Sequence, residues 1–138
     1  MLAQLVYSSN RKPNCTEQEI ENILASCKKN NPSLNITGVL LYSDTRFIQL
    51  VEGDYKIITA LYDKIKSDPR HDQSRMISLG PIQEKSFPSW HMGAKKIVGN
   101  KVDFRTDISE EDNKIFTYLL EGREESGPKV LSLLKKFF

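Results

Sequence analysis

The sequence predicts an α+β protein: a ferredoxin-like βαββαββ sheet with two helices on one face, plus two C-terminal helices covering the other. Three observations lead there. Five short segments have the apolar patterning of strands. Two of the gaps between them hold helical stripes with apolar residues at i, i+3, i+4 and i+7. The order of these elements along the chain is that of a split βαβ arrangement.

Residues 2–8 (LAQLVYS) are short and apolar at both parities, as in a strand buried on two faces. After the turn-rich SSNRKPN, Thr16 opens a T-x-x-E capping box with Glu19, which starts a helix. Its buried stripe is Ile20, Ile23, Leu24 and Cys27. Asn30, Asn31 and Pro32 are expected to end it, because the residue before a proline disfavours helical dihedrals. Residues 35–42 (NITGVLLY) and 46–52 (RFIQLVE) read as a hairpin around Ser43, Asp44 and Thr45. Asp54 is placed to cap a second helix, whose stripe is Ile58, Leu61, Tyr62 and Ile65. DPRHDQ (68–73) reads as a loop, followed by strands over 75–82 and 90–98.

In the tail, Ser109 with Asp112 makes a further capping box ahead of Ile115, Phe116, Leu119 and Leu120. Gly122 suits a helix stop, and Pro128 suits a first helical position before Val130, Leu133, Leu134 and Phe137. These two helices are expected to cover the open sheet face or to pair with another subunit, so a homo-oligomer is expected. The organisation is a domain over 1–98 followed by a helical cap over 99–138.

Bulk properties narrow the function. A chain of 138 residues with 38% hydrophobic and 28% charged residues is one ordinary globular domain. The net charge of +2, without a run of like charges, leaves no footprint for nucleic acid or an anionic membrane. There is no apolar run of membrane-spanning length and no basic region before the first apolar residues, so a cytoplasmic protein is expected. Cys15 and Cys27 read as reduced thiols, with Cys27 in the core. His71 and His91 lack metal-ligand spacing, paired carboxylates and a Ser/His/Asp set are missing, and no metal is expected. SSNRKPNCT has Arg11 but no glycine-rich turn, which argues against a phosphate hydrolase. The chain is not read as an enzyme, and any phosphates it binds must be held by side chains such as Lys64 and Arg70.

Three polar residues stand out. On the third strand Phe47, Gln49 and Val51 share one face, and Ile48 and Leu50 share the other. A buried carboxamide there must find partners or cost about 1–3 kcal/mol. Tyr7 ends the first strand on the parity of Ala3 and Leu5, and the first and third strands are neighbours in a βαββαββ sheet. A satisfied core contact between Tyr7 and Gln49 explains both. With Asn31 at the helix end, the three residues also offer donors and acceptors to a flat heteroaromatic ligand in an apolar cleft.

The pattern resembles the BLUF family, blue-light sensors using FAD. The matching pieces are LVYSS around Tyr7, KKNNPSLNITGVLLY with Asn31, FIQLVEG with Gln49, DPRH at 68–71, and FPSWHMG with Trp90 and Met92. They follow the family's order and spacing over residues 1 to about 95. The resemblance implies that Tyr7 gives an electron and then a proton to photoexcited flavin, and that Gln49 bridges Tyr7 and the flavin N5/C4=O edge. It places Asn31, beside Asn30, at the C4=O and N3 side, Ile23 and Phe47 as apolar walls with Ile65 nearby, and Ser9 near the switch. Lys64, Arg70 and His71 match positions facing the phosphates and ribose, although Lys64 stands where an arginine is common and lacks its bidentate geometry. Trp90 and Met92 match two last-strand residues that exchange or shift near the glutamine. The implied function is light sensing through rearrangement of the Gln49 hydrogen bonds. The signal then passes through Trp90, Met92 and the C-terminal helices to a partner protein. The alternative is a flavin-binding or protein-interaction regulatory module of the same fold without photochemistry.

Overall fold

The computed structural model describes residues 1–88, 91–97 and 134. Its elements are β1 (Leu2–Arg11), α1 (Glu17–Leu34), β2 (Thr37–Tyr42), β3 (Arg46–Asp54), α2 (Tyr55–Lys66), β4 (His71–Pro81) and β5 (Gly93–Lys96), in the predicted order. The strands lie in one sheet in the order β4-β1-β3-β2-β5. All neighbours pair antiparallel except β2 and β5, which run parallel. Tyr7 lies directly opposite Gln49 in the central β1–β3 ladder, and Gln49 lies opposite Leu40 of β2.

Both sheet faces are withdrawn from water, which is why the strand sequences are apolar at both parities. On the near face Ala3, Leu5, Tyr7, Leu40, Phe47 and Val51 pack with Ile20 of α1 and with Ile58 and Tyr62 of α2. The far face buries Val6, Val39, Leu41, Ile48 and Leu50. Glycine is required at position 38 by close approach, since a Cβ there would lie 2.0 Å from the Leu50 carbonyl oxygen. The hairpin turn falls where expected, with the Ser43 hydroxyl accepting from the amides of Thr45 and Arg46.

Several boundaries differ from the sequence expectation. Thr16 accepts from the Glu19 amide at 3.3 Å, but the Glu19 carboxylate turns to Asn22 and Arg70 instead of completing the box. The first helix runs through Pro32 and stops only at Asn35, in the left-handed conformation at φ 54°. Asn31 is buried and its side chain is held across the fold, and that tertiary contact outweighs the local bias before proline. Cys27, expected in the core, is only half-buried. β4 begins at His71 inside the expected loop because Arg11 and Asn10 continue the β1 ladder to His71 and Asp72. A positive φ at Gln73 absorbs the resulting irregularity. The described last strand spans 93–96 rather than 90–98, with Met92 just ahead of it. Trp90 and the two tail helices fall outside the described residues, apart from Leu134, which is helical and buried.

Candidate functional site

A cavity of about 590 Å³ opens between the near face of the sheet and the two helices. α1 lines it with Ile23, Ser26, Cys27, Asn30, Asn31 and Leu34, which recur at three- and four-residue spacing and so share one helix face. α2 and the turn after it add Leu61, Lys64, Ile65 and Asp68 at the same spacing, followed by Arg70 and His71. Tyr7, Leu40, Phe47 and Gln49 form the floor on the sheet, and Met92 closes the end beside β5.

At the floor the Tyr7 hydroxyl donates to Gln49 Oε1 at 2.5 Å, and both residues are buried. Gln49 Nε2 points to the Met92 sulfur at 3.4 Å. Burial pushes the Tyr7 phenol well above its ordinary range, and Cys27, Tyr62 and Asp68 add to the shift. The phenol is therefore neutral and remains a donor. Its ring packs against Tyr62 at 5.4 Å between centroids. The Cys27 thiol is likewise pushed up by burial, an effect opposed by its hydrogen bond with Asn31. Asn31 Nδ2 also donates to the His91 carbonyl at 2.6 Å, tying α1 to the segment that carries Met92.

The other end of the cavity is charged. His71 Nδ1 lies 2.7 Å from the Ser9 hydroxyl, its Nε2 meets the Ile65 carbonyl, and its ring stands edge-on to Phe47. The Arg70 fork bonds Asp68 through Nε at 2.9 Å and Nη2 at 2.5 Å, and reaches Glu19 at 3.4 Å. The Arg70 hydrogen bond holds the Asp68 carboxyl below its ordinary value of 3.8.

Of the residues singled out in the sequence, Tyr7, Asn31, Gln49, Met92, Phe47 and Ile23 thus meet around one cleft. Asn30, Lys64, Ile65, Arg70 and His71 also line it. Ser9 lies behind His71 as its hydrogen-bond partner, and Trp90 falls outside the described residues. Ser26, Cys27, Ser33, Leu34, Leu40, Leu61 and Asp68 were not anticipated at the site. For those on the helices, a signal was available in helical spacing from Ile23 and Ile65, which the stripes gave as buried and the resemblance gave as site residues. Among the described residues no group of three or more His, Cys, Asp or Glu side chains could hold a metal, and no helix is long and apolar enough to cross a membrane. The size, the apolar walls and the polar groups at two ends fit a planar heterocycle carrying an anionic tail. Asn31 and Gln49 would meet its edge, and Lys64 and Arg70 its charge.

Comparison with known proteins agrees. A family profile described as sensors of blue-light using FAD matches residues 2–93. The photoactivated adenylate cyclase subunit beta of Euglena longa is 34% identical over 88 residues, 64% of this chain and 10% of that protein. The chain therefore spans about a tenth of the length of that relative. The dark-state structure of BlrB, a BLUF protein, superposes with a TM-score of 0.74 at 27% identity, covering 99% of this chain and 93% of that one. A bacterial light-regulated adenylyl cyclase gives a TM-score of 0.70 at 30% identity, over 88% of this chain and 34% of its own.

Proposed function

Because the chain belongs to the BLUF family of blue-light sensors using FAD, we propose that it is a photoreceptor switched by Tyr7 and Gln49 around non-covalently bound FAD. The observation that carries this reading is the 2.5 Å bond from the Tyr7 hydroxyl to Gln49 Oε1 at the floor of the cavity. A bound flavin supplies the chromophore and, when excited, an acceptor for an electron and a proton. Tyr7 is the donor: its hydroxyl is redox-active, and burial keeps the proton on Oη. Gln49 is the moving part, because the two ends of a carboxamide are nearly isosteric and opposite in hydrogen-bonding sense. With the Tyr7 proton displaced, rotation of the amide exchanges which end faces Tyr7 and which faces Met92, or tautomerisation changes the hydrogen-bonding sense of the ends in place. The electron and proton then return to Tyr7.

The surrounding side chains orient and seal. Asn31 would fix the polar edge of the ring, and Ile23, Phe47 and Ile65 would exclude water from it. Lys64 and Arg70 would meet the phosphates, which favours FAD or FMN over an uncharged flavin, and FAD is the family's cofactor. The signal leaves through Met92, Trp90 and the last strand towards the C-terminal helices and a partner protein. The test is to refold the purified chain with FAD and irradiate it with blue light. The expected result is a yellow protein whose absorption shifts to the red and recovers in the dark. A colourless product overturns the proposal, and flavin binding without a shift favours a regulatory module of the same fold.

A further inference from the structure

Glu52 lies three residues beyond Gln49 on β3, on the opposite face of the sheet, and is 1% exposed. Among the described residues no cation pairs with its carboxylate. Three donors converge on it instead: the Ser86 amide at 2.7 Å, the Phe87 amide at 3.1 Å and the Thr37 hydroxyl at 3.3 Å. Taking a carboxylate out of water is costly and only its hydrogen bonds offset that cost, so its presence is explained better by what it holds in place. What it holds is the start of the connection between β4 and β5. Lys85 adds to that anchor by donating to the Asn35 carbonyl at the end of α1. Five residues after Phe87 comes Met92, a span of at most about 18 Å of extended chain. Its far end is tied at His91 by Asn31.

We propose that Glu52 is a positioning residue of the switch, its carboxylate holding the Ser86–Phe87 backbone so that Met92 meets Gln49. The side chain type follows from the donors. A carboxylate accepts from both amides at once, whereas an amide side chain would turn an NH₂ towards one of them. Gln49 and Glu52 share one strand, so the distance between switch and anchor is fixed by the β3 backbone, and movement at Met92 is referred to a stationary point. This inference rests on the photoreceptor reading above.

The test compares Glu52→Gln with Thr37→Val, which removes only the hydroxyl contact and keeps both backbone bonds. Two readouts are used: the methyl resonance of Met92 in ¹³C-methyl-methionine protein without flavin, and the dark recovery of the flavin-loaded protein. Glu52→Gln should displace or split the Met92 resonance and slow recovery about tenfold, with flavin affinity held within about twofold. Thr37→Val should leave both readouts near wild type. A Glu52→Gln protein that melts lower yet keeps the wild-type resonance and recovery overturns the inference. If that variant does not fold, amide exchange in the wild type decides. The Ser86 and Phe87 amides should exchange about a hundredfold more slowly than free loop amides, and rapid exchange overturns the inference. A wild type without a red shift sinks the photoreceptor reading alone, because the Met92 resonance and the exchange rates still judge the anchor.

Discussion

Gln49 sits between Phe47 and Val51 on the near face of β3, and its two ends already have different partners, Tyr7 and Met92. Gln49→Leu keeps the volume but leaves the buried Tyr7 hydroxyl without its acceptor, at a cost of about 1–3 kcal/mol. The expected result is a lower melting temperature, retained flavin and no red shift, read from a light-minus-dark spectrum and a thermal melt. A second expectation concerns pH. The Tyr7 phenol is raised above its ordinary value of 10.0, so in the folded state it keeps its proton where the unfolded chain has lost it. Its contribution to stability is full below pH 10 and falls as the pH rises further. The red shift should thus keep its amplitude past pH 10 while the melting temperature falls, and a Tyr7→Phe variant should lose less stability over the same range. At this scale the sequence was informative wherever parity decides. Alternation gave the faces of Tyr7 and Gln49, and the βαββαββ order made their strands neighbours. Asp68 escaped because a loop aspartate before a proline looks like an ordinary turn residue, and only the fold turns it towards Arg70.

At the scale of elements, α1, α2 and the hairpin were legible from stripes and caps, and the boundaries were not. Pro32 argued locally for an early stop, yet Asn31 is held from β5's side of the fold and keeps the last turn helical. β4 started early for a similar reason, since its first residues are recruited by pairing with Asn10 and Arg11 and by the two bonds of the His71 ring. Such long-range contacts leave no periodic trace. Gly38 is the reverse case, a residue whose type records a contact between strands. Gly38→Ala forces a Cβ against the Leu50 carbonyl and should cost about 3 kcal/mol by separating β2 from β3, measured as a fall in the urea midpoint. The turn after α2 gives a pH-dependent expectation. Arg70 lowers the Asp68 carboxyl below 3.8, so this contact stabilises above that value and is lost as the pH falls through the lower folded one. The melting-temperature difference between wild type and Asp68→Asn should therefore be full at neutral pH and close in acid.

For the molecule as a whole, the central question is how the two sheet faces divide the work. The near face holds the cavity, while the far face buries Val6, Val39, Leu41, Ile48 and Leu50, none more than 1% exposed. Leu134, some forty residues past the last described strand, is 0% exposed and helical. The chain superposes on BlrB over 93% of that protein and on a light-regulated adenylyl cyclase over 34% of it. Leu134 does not line the cavity, and an output surface away from the cavity is the expectation. Leu134→Ala separates the two roles. Losing a fully buried leucine should cost about 2–5 kcal/mol of stability, read from urea unfolding. Flavin affinity and the amplitude of the red shift should stay at wild-type values, because none of the hydrogen bonds and ring contacts of Tyr7 and Gln49 involves Leu134. A variant whose red shift weakens in step with its stability would show that Leu134 and the cavity form one cooperative unit, and the output surface would then have to be sought at the sheet edge beside β5.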